Sequence, residues 1–382
     1  MKKYSALLLI AGSLFIHAFS QEEKYLYLKG YVTSMQGVMF DSVRGDFLNE
    51  NLIHNRLNFK AYTGRHVSIA VEMRNRIFTG DRVRMIPEYD EMIGDDQGWF
   101  DLSWNIMNEK SVIINTTVDR YWLDLSFEKL QVRVGRQRIN WGQTFVWNPN
   151  DIFNAYSYFD FDYIERPGSD AIRLQVYPNY SSTIEMAVKL DSEDDVNAAG
   201  LFRFNKWGYD FQFLAGFVNS EDLVIGAGWS GAFGSTSFRG EGSWFQPADN
   251  FSDTTGTALF TISFDRSLSN NGMVQIQAMY CNNPIDFDSF ESFYDGNLSA
   301  RDLAFSEFNL FGSISLPLTP LFNLGVSAIW YPGLNGYFAG PSIDWSLSQN
   351  VDLSFIWQHF ESRPQADNLK INLGFLRFKY SF

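Results

Sequence analysis

The chain has 382 residues, with 30 Lys and Arg against 44 Asp and Glu and a formal net charge of −14, a balance that argues against a nucleic-acid binder. Its one cysteine, Cys281, can form no internal disulfide and excludes a cysteine-based zinc site. Aromatic residues are 17% of the sequence, yet mean hydropathy is slightly negative, so the apolar surface must be spread over many alternating segments, as in a soluble β protein or a membrane β-barrel.

Taken in chain order, the first element reads as an export signal. Lys2 and Lys3 precede an apolar stretch from Ala6 to Phe19, and the small residues Ala18 and Ser20 precede a cut at Ser20/Gln21. The stretch is shorter than the ~20 residues a spanning helix needs. This divides the chain into a signal peptide, 1–20, and one barrel domain, 21–382.

From there period-2 alternation dominates. Ile172-Arg173-Leu174-Gln175-Val176 exchanges apolar and polar side chains residue by residue, as do the stretches 210–217 and 322–330. The pattern predicts strands at 24–35, 52–63, 66–78, 117–127, 130–138, 170–177, 181–189, 198–204, 209–218, 222–230, 236–245, 257–265, 272–281, 306–316, 321–331, 337–347, 351–360 and 370–382. Connections sort by side. At one end they are tight turns, such as Gly64 with Arg65 and Glu128 with Lys129. At the other lie nearly all the long ones: 36–51, 79–116, 139–169, 190–197, 246–256, 282–305 and 361–369. Outer-membrane barrels have short periplasmic turns and longer external loops.

The expected fold is therefore all-β: a transmembrane, antiparallel, up-and-down barrel of about 18 strands, range roughly 16–20, with both termini periplasmic. Segment 99–107 is where further strands would enter. A sheet in hydrocarbon satisfies its backbone only by closing on itself, and a ring this wide leaves an aqueous lumen. Phe, Leu, Val and Ile should face lipid. Aromatic-belt candidates are Tyr25, Tyr27, Tyr121, Trp122, Trp330, Tyr331, Trp345, Trp357 and Tyr380.

The densest polar and aromatic run goes from Val132 through Arg133, Gly135, Arg136, Gln137, Arg138 and Trp141 to Trp147-Asn148-Pro149-Asn150-Asp151, Phe159-Asp160-Phe161-Asp162-Tyr163 and Glu165-Arg166-Pro167-Gly168. By parity Gln131, Arg133 and Gln137 face the lumen. Arg136 and Arg138 share the lipid parity of Leu130, Val132 and Val134, so they lie above the apolar band or a bulge near Gly135 turns them inward. Loop 139–169, about 31 residues long and rich in Trp and Phe, is too long and too aromatic for an idle connection, and is expected to fold into the lumen as a constriction. The pore-lining candidates are Glu72, Arg74, Arg76, Arg133, Arg136, Gln137, Trp141, Glu165, Arg166, Arg173 and Glu185. Facing acidic and basic rows would orient polar solutes, and replacing Arg133 and Arg173 by Glu is expected to favour cations; the bland alternative is that these are solvated or mutually paired wall residues.

Gly135-Arg136-Gln137 followed by Trp141-Gly142 resembles a segment of porin-like outer-membrane families, including the alginate-export type. The run from Trp147 to Gly168 resembles barrels of Bacteroidetes-type bacteria. The resemblance implies solute passage and a strand end leading into a lumenal loop. The acidity of this chain speaks against a polyanionic solute.

The chain ends Leu376-Arg377-Phe378-Lys379-Tyr380-Ser381-Phe382, an alternating stretch closing on Phe that looks like the signal read by barrel-assembly machinery. Acidic clusters at Asp90, Glu91, Asp95, Asp96 and at Asp191, Glu193, Asp194, Asp195 lack EF-hand spacing and read as solvated loops. No cofactor or metal site is expected. The three His of the predicted mature chain, His54, His66 and His359, show no catalytic neighbourhood, which leaves an outer-membrane hydrolase as a minor alternative. The leading function is an outer-membrane channel for small polar solutes, embedded in lipid and lipopolysaccharide. A non-conducting accessory barrel is the alternative, and a homo-oligomer stays open.

Overall fold

The computed structural model describes residues 25–42, 45–161, 163, 165–249, 251, 254–285, 298–363 and 369–382. The proposed signal segment and Asp162 lie outside these residues. The strands are β1 (Leu26–Phe40), β2 (Leu48–Tyr62), β3 (Val67–Gly80), β4 (Ser103–Glu109), β5 (Val112–Ser126), β6 (Leu130–Gln137), β7 (Ser169–Asn179), β8 (Ser182–Leu190), β9 (Val196–Lys206) and β10 (Tyr209–Val218). They continue as β11 (Asp222–Phe233), β12 (Thr236–Pro247), β13 (Thr257–Ser267), β14 (Met273–Cys281), β15 (Phe308–Thr319), β16 (Phe322–Tyr331), β17 (Gly336–Ser348), β18 (Val351–Ser362) and β19 (Leu369–Ser381). Two short helices, α1 (Asp81–Met85) and α2 (Tyr89–Gly94), follow β3.

Every expected strand is present, and their antiparallel ladders close into a ring of eighteen when β1 pairs with β19. Phe382 and Gly30 exchange backbone hydrogen bonds of 3.0 and 2.9 Å, so the last strand lands beside the start of the first. The nineteenth strand, β4, is a local insertion. It pairs with residues 112–117 of β5 on the side that β6 serves lower down. It fills the wall above the short β6, and a single bridge from Gly98 to Asp191 continues the closure. Among the described residues no helix is long and apolar enough to cross a membrane.

The two faces of the ring follow the sequence rhythm. Leu123, Val134, Ile172 and Val188 pair in one row across four strands and all point outward, Ile172 with 58% of its surface exposed. Phe238, Phe264 and Ile276 form another such row, with the two rings 5.1 Å apart. Exposed rows of Phe, Ile, Leu and Val over a whole barrel have no stable place in water and suit hydrocarbon. Tyr25 and Tyr27 keep the inward parity of Tyr31 along the unbroken β1–β2 register, although both are exposed. Trp330, Trp345 and Tyr380 lie on the outer face. Trp122 and Tyr331 do not: Trp122 stacks beneath Arg133 and Tyr331 is 1% exposed, because adjacent residues of a strand point to opposite faces. Of Tyr121-Trp122 and Trp330-Tyr331, only one member of each pair can reach the outside.

Phe213 occupies the middle of β10 and is half exposed among Phe202, Phe204 and Phe211. Phe213→Arg is expected to destabilise the folded barrel by about 2–4 kcal/mol, the cost of a cation facing the bilayer midplane. Urea titration in lipid vesicles reads it, and a shift of zero would place that face away from lipid.

The interior is not an open tube. Ile139, Trp141, Val146, Trp147, Ile152, Phe153 and Phe159 from the β6–β7 loop pack with Ala300, Leu303, Ala304 and Phe305 from the β14–β15 connection. Both groups rest on inward residues such as Leu214, Phe245, Leu259, Phe311 and Phe360. An apolar core thus fills one side of the ring. The long connection 282–305 also reaches inward where it is described: Ala300, Leu303, Ala304 and Phe305 are buried, and Arg301 pairs with Asp222 of β11 at 2.7 Å.

Candidate functional site

The β6–β7 loop, residues 138–168, begins beside a cluster on β6–β8. Trp141 is buried, and its indole N–H donates to Glu185 at 2.6 Å. The same carboxylate accepts two bonds from Arg173, at 2.7 and 2.8 Å, and one from Gln175 at 2.8 Å. Gln137 is fully buried and donates to the carbonyls of Arg133 and Ala171, both at 3.1 Å. Arg133 pairs with Asp124 at 2.8 Å and lies over the Trp122 ring. Arg133 and Arg173 are therefore both charge-matched within the wall.

From Trp141 the loop crosses to the far wall. Gln212 donates to the Trp141 carbonyl at 2.7 Å, and Gln277 bridges the Val146 N–H and the Trp147 carbonyl at 2.8 and 3.0 Å. Glu241 accepts the backbone N–H groups of Gln143 and Asn150, and Ser243 donates to the Pro149 carbonyl at 3.0 Å. Asn197 holds the Ile152 carbonyl at 2.9 Å. The loop then turns back, with Phe159 packed 4.8 Å from Phe338 and its carbonyl accepting from Gln358 of β18. Such partners settle the buried peptide groups of a loop that water cannot reach.

The return leg docks on β1–β5. Arg56 of β2 is wholly buried, with its guanidinium against Asp119, against Glu72 at 2.7 Å and 3.6 Å from Glu165 of the loop. Tyr31 donates to Glu165, and Arg120 donates to the carbonyls of Glu165 and Arg166, both at 2.8 Å. Asp119 reaches this network because the β3–β5 register shifts between Glu72 and Met73, a bulge that leaves it without a partner across the ladder. Arg74 lies 3.9 Å over the Tyr163 ring, and burial pushes the Tyr163 phenol up to about 12, so a neutral ring faces the cation. Arg76 hydrogen-bonds to Asn115 and to the Ile93 carbonyl, and Arg166 sits 4.0 Å over the Tyr156 ring.

Arg136 takes the higher of its two expected placements. Register runs unbroken through Gly135, so Arg136 keeps outward parity, in the row Tyr121, Arg136, Asp170 just above the exposed row of Leu123, Val134 and Ile172. Asp170 at 2.8 Å and Asp96 at 2.7 Å hold it, and the segment 96–100 covers it. Gly135 has φ +112, a backbone that a side chain at this position would strain.

Three cavities of about 280, 350 and 270 Å³ border the return leg. The first and third share Arg74, Arg76, Ile93, Asp160 and Tyr163, and Phe161 joins the third to the second. They lie toward β1–β6 and β16–β19, and two of them touch the edge of the apolar core at Phe338 and Phe159.

The barrel is similar in fold to OccAB4 of Acinetobacter baumannii. The TM-score is 0.60 at 8% identity, covering 94% of this chain and 99% of that one. OccK11 (OpdR) of Pseudomonas aeruginosa gives 0.58 at 10% identity over 96% and 99%. OpdL of the same organism gives 0.56 at 9% over 94% and 98%. No protein-family model and no curated protein matches the sequence. The likeness to OccAB4, OccK11 and OpdL is one of architecture, spread over nearly whole chains.

Parity pointed Gln131, Arg133 and Gln137 inward, Arg173 and Glu185 were expected to project into the same lumen, and the loop's length and aromatic content drew attention to Trp141 and Glu165. The residues missed are Arg56, Asp119 and Arg120 on one wall and Gln212, Glu241 and Gln277 on the other. The last three share their strands' inner face with other polar residues, Ser243 beside Glu241 and Gln275 beside Gln277, so nothing local singles them out. The acidic clusters do not gather: Asp96 serves Arg136, and Asp194 accepts the Trp99 indole at 3.1 Å. Among the described residues no three metal-binding side chains come together.

Proposed function

We propose that this protein is an outer-membrane channel for small polar solutes, narrowed by the loop 138–168. One observation carries the reading: the loop is hydrogen-bonded to opposite walls of a wide closed barrel, leaving the remaining space on one side, beside Arg74, Arg76, Asp160 and Tyr163. A ring of this size without an inward loop is a wide hole, and one wholly filled conducts nothing. Support comes from the fold shared with the Occ and Opd porins and from outer walls suited to lipid.

In this reading residues 1–20 are an export signal, and the short-turn end, with Phe382, faces the periplasm. Barrel-assembly machinery reads that terminal Phe, and the belts lie in lipid and lipopolysaccharide. The likeness of 135–168 to alginate-export-type and Bacteroidetes-type barrels enters only as geometry, a strand end leading into a lumenal loop.

Conductance of the purified protein in a planar bilayer tests the proposal. Stable ohmic steps are expected. A folded barrel that never conducts would favour the accessory role. For selectivity, Arg74→Glu with Arg76→Glu is expected to raise the cation-to-anion permeability ratio by about twofold or more, since four units of charge change beside the passage. The pair Arg133→Glu and Arg173→Glu should act less, because each arginine is already matched by Asp124 or Glu185. The reversal potential in a salt gradient reads both; the opposite ranking would put the narrow zone beside β6 and β7.

A further inference from the structure

Two acidic side chains meet the loop at the seam on the far wall, and the passage uses neither. Glu241, near the middle of β12, is wholly buried, with one oxygen accepting the Gln143 N–H and the other the Asn150 N–H. Asp151 follows Asn150 directly and is 1% exposed. One of its oxygens accepts the Trp141 N–H at 3.3 Å. The other has no hydrogen-bond donor, and Arg138 stands 3.9 Å away.

The surroundings leave this seam short of positive charge. From the loop it is faced by Arg138, by Tyr156 beneath the Arg138 guanidinium at 5.3 Å, and by Arg166 on the same ring at 4.0 Å. From β8 comes Glu185, already matched by Arg173. From β10, β11, β13 and β14 come Gln212, the Ala227 carbonyl, Thr261 and Gln277, all uncharged, and from β9 Arg203 donates to the Gln212 side chain at 2.9 Å. Two buried carboxylates with one cation at the edge of salt-bridge distance are balanced most simply by a proton.

We propose that Glu241 and Asp151 form a proton-dependent latch, which holds loop 138–168 across the lumen while the seam carries a proton and releases it when both carboxylates are charged. The inference rests on the channel reading above and adds its regulation. Glu241 is a positioning residue: it touches no solute and acts by fixing the backbone of residues 143–150. Burial pushes the Asp151 carboxyl up to about 7 in the docked loop. Released into lumenal water, the same group returns to the ordinary carboxylate range. The docked form thus binds more protons. Docking is strongest below that ordinary range, weakens as pH rises toward about 7, and changes little from this group above it.

The test uses the full-length barrel in planar bilayers at about pH 4.5 and about pH 8. Hydrogen–deuterium exchange of the peptide covering 139–160, corrected for intrinsic exchange, is read in parallel. The wild type should spend at least about tenfold more time in a larger conductance state at the higher pH, with faster exchange of the loop. Asp151→Asn mimics the protonated seam, with its amide oxygen still free to accept the Trp141 N–H, and should hold the small state at both pH values. Glu241→Ala removes the acceptors and should show the large state at both. An unchanged pH response in Asp151→Asn overturns the proposal, as does a small state retained by Glu241→Ala. If Glu241→Ala fails to fold, Asp151→Asn decides. If the barrel conducts at no pH, the channel reading falls by itself. Exchange then judges the latch: pH-dependent protection lost in Asp151→Asn supports it, and pH-independent protection in the wild type ends it.

Discussion

Replacing residues 143–163 by a short Gly-Ser bridge is expected to raise the single-channel conductance roughly two- to fourfold, because the segment lies across the interior of a ring too wide for wall side chains to fill. The segment supplies Val146, Trp147, Ile152, Phe153 and Phe159 to the apolar core. It also borders all three cavities of the proposed passage. Its removal leaves Leu214, Val224 and Phe245 facing water, so the variant should be less stable while still forming a barrel, which heat-modified gel mobility verifies. The increase should come with lost selectivity, since Tyr163 and Asp160, the groups opposite Arg74 and Arg76, go with the segment. Unchanged conductance in a correctly folded variant would show that ions take another route, and that the loop plugs a space that never conducted.

The barrel was legible because one rule, an apolar side chain outward at every second position, repeats from strand to strand and needs only neighbouring residues to be read. Its failures have the same cause. Strand β4 arises where further strands were expected to enter, but it carries exposed Trp104 and Ile106 beside polar Asn105 and Asn108 over only seven residues, too short a rhythm to fix its bounds. The bulge that aims Asp119 at Arg56 is a register shift, set by two strands together and invisible in either. The inward loop announced itself by length and ring content, while its anchors did not. Glu241 lies 98 positions from Gln143, and Gln277 lies 131 from Val146. Those pairs meet only after the ring has closed, so no local pattern reports them. Arg133 and Arg173 looked like the obvious selectivity residues for a related reason: parity shows which face a side chain takes, not which carboxylate waits across the ladder.

Arg56 is the position where a single substitution should cost most. Its guanidinium is wholly buried and binds Asp119, Glu72 and Glu165, joining β2, β3, β5 and the returning loop, with Asn58 taking its remaining Nε–H at 2.9 Å. Methionine fills similar space but leaves Asp119, 2% exposed at its side chain, without its closest cation. Breaking a buried pair by removing one partner strands a desolvated charge, so Arg56→Met should lose about 3–5 kcal/mol in a urea titration in lipid vesicles. The stranded acid, more than the lost attraction, sets that cost. Adding Asp119→Asn to Arg56→Met should therefore recover half or more of the loss, although it removes another charged group. Glu72 and Glu165 are about a quarter exposed and can rehydrate, so neutralising either in the same background should recover little. If Asp119→Asn instead deepens the loss, Arg56 acts mainly by packing and by holding Glu165, and the loop's return leg rather than the wall is what it stabilises.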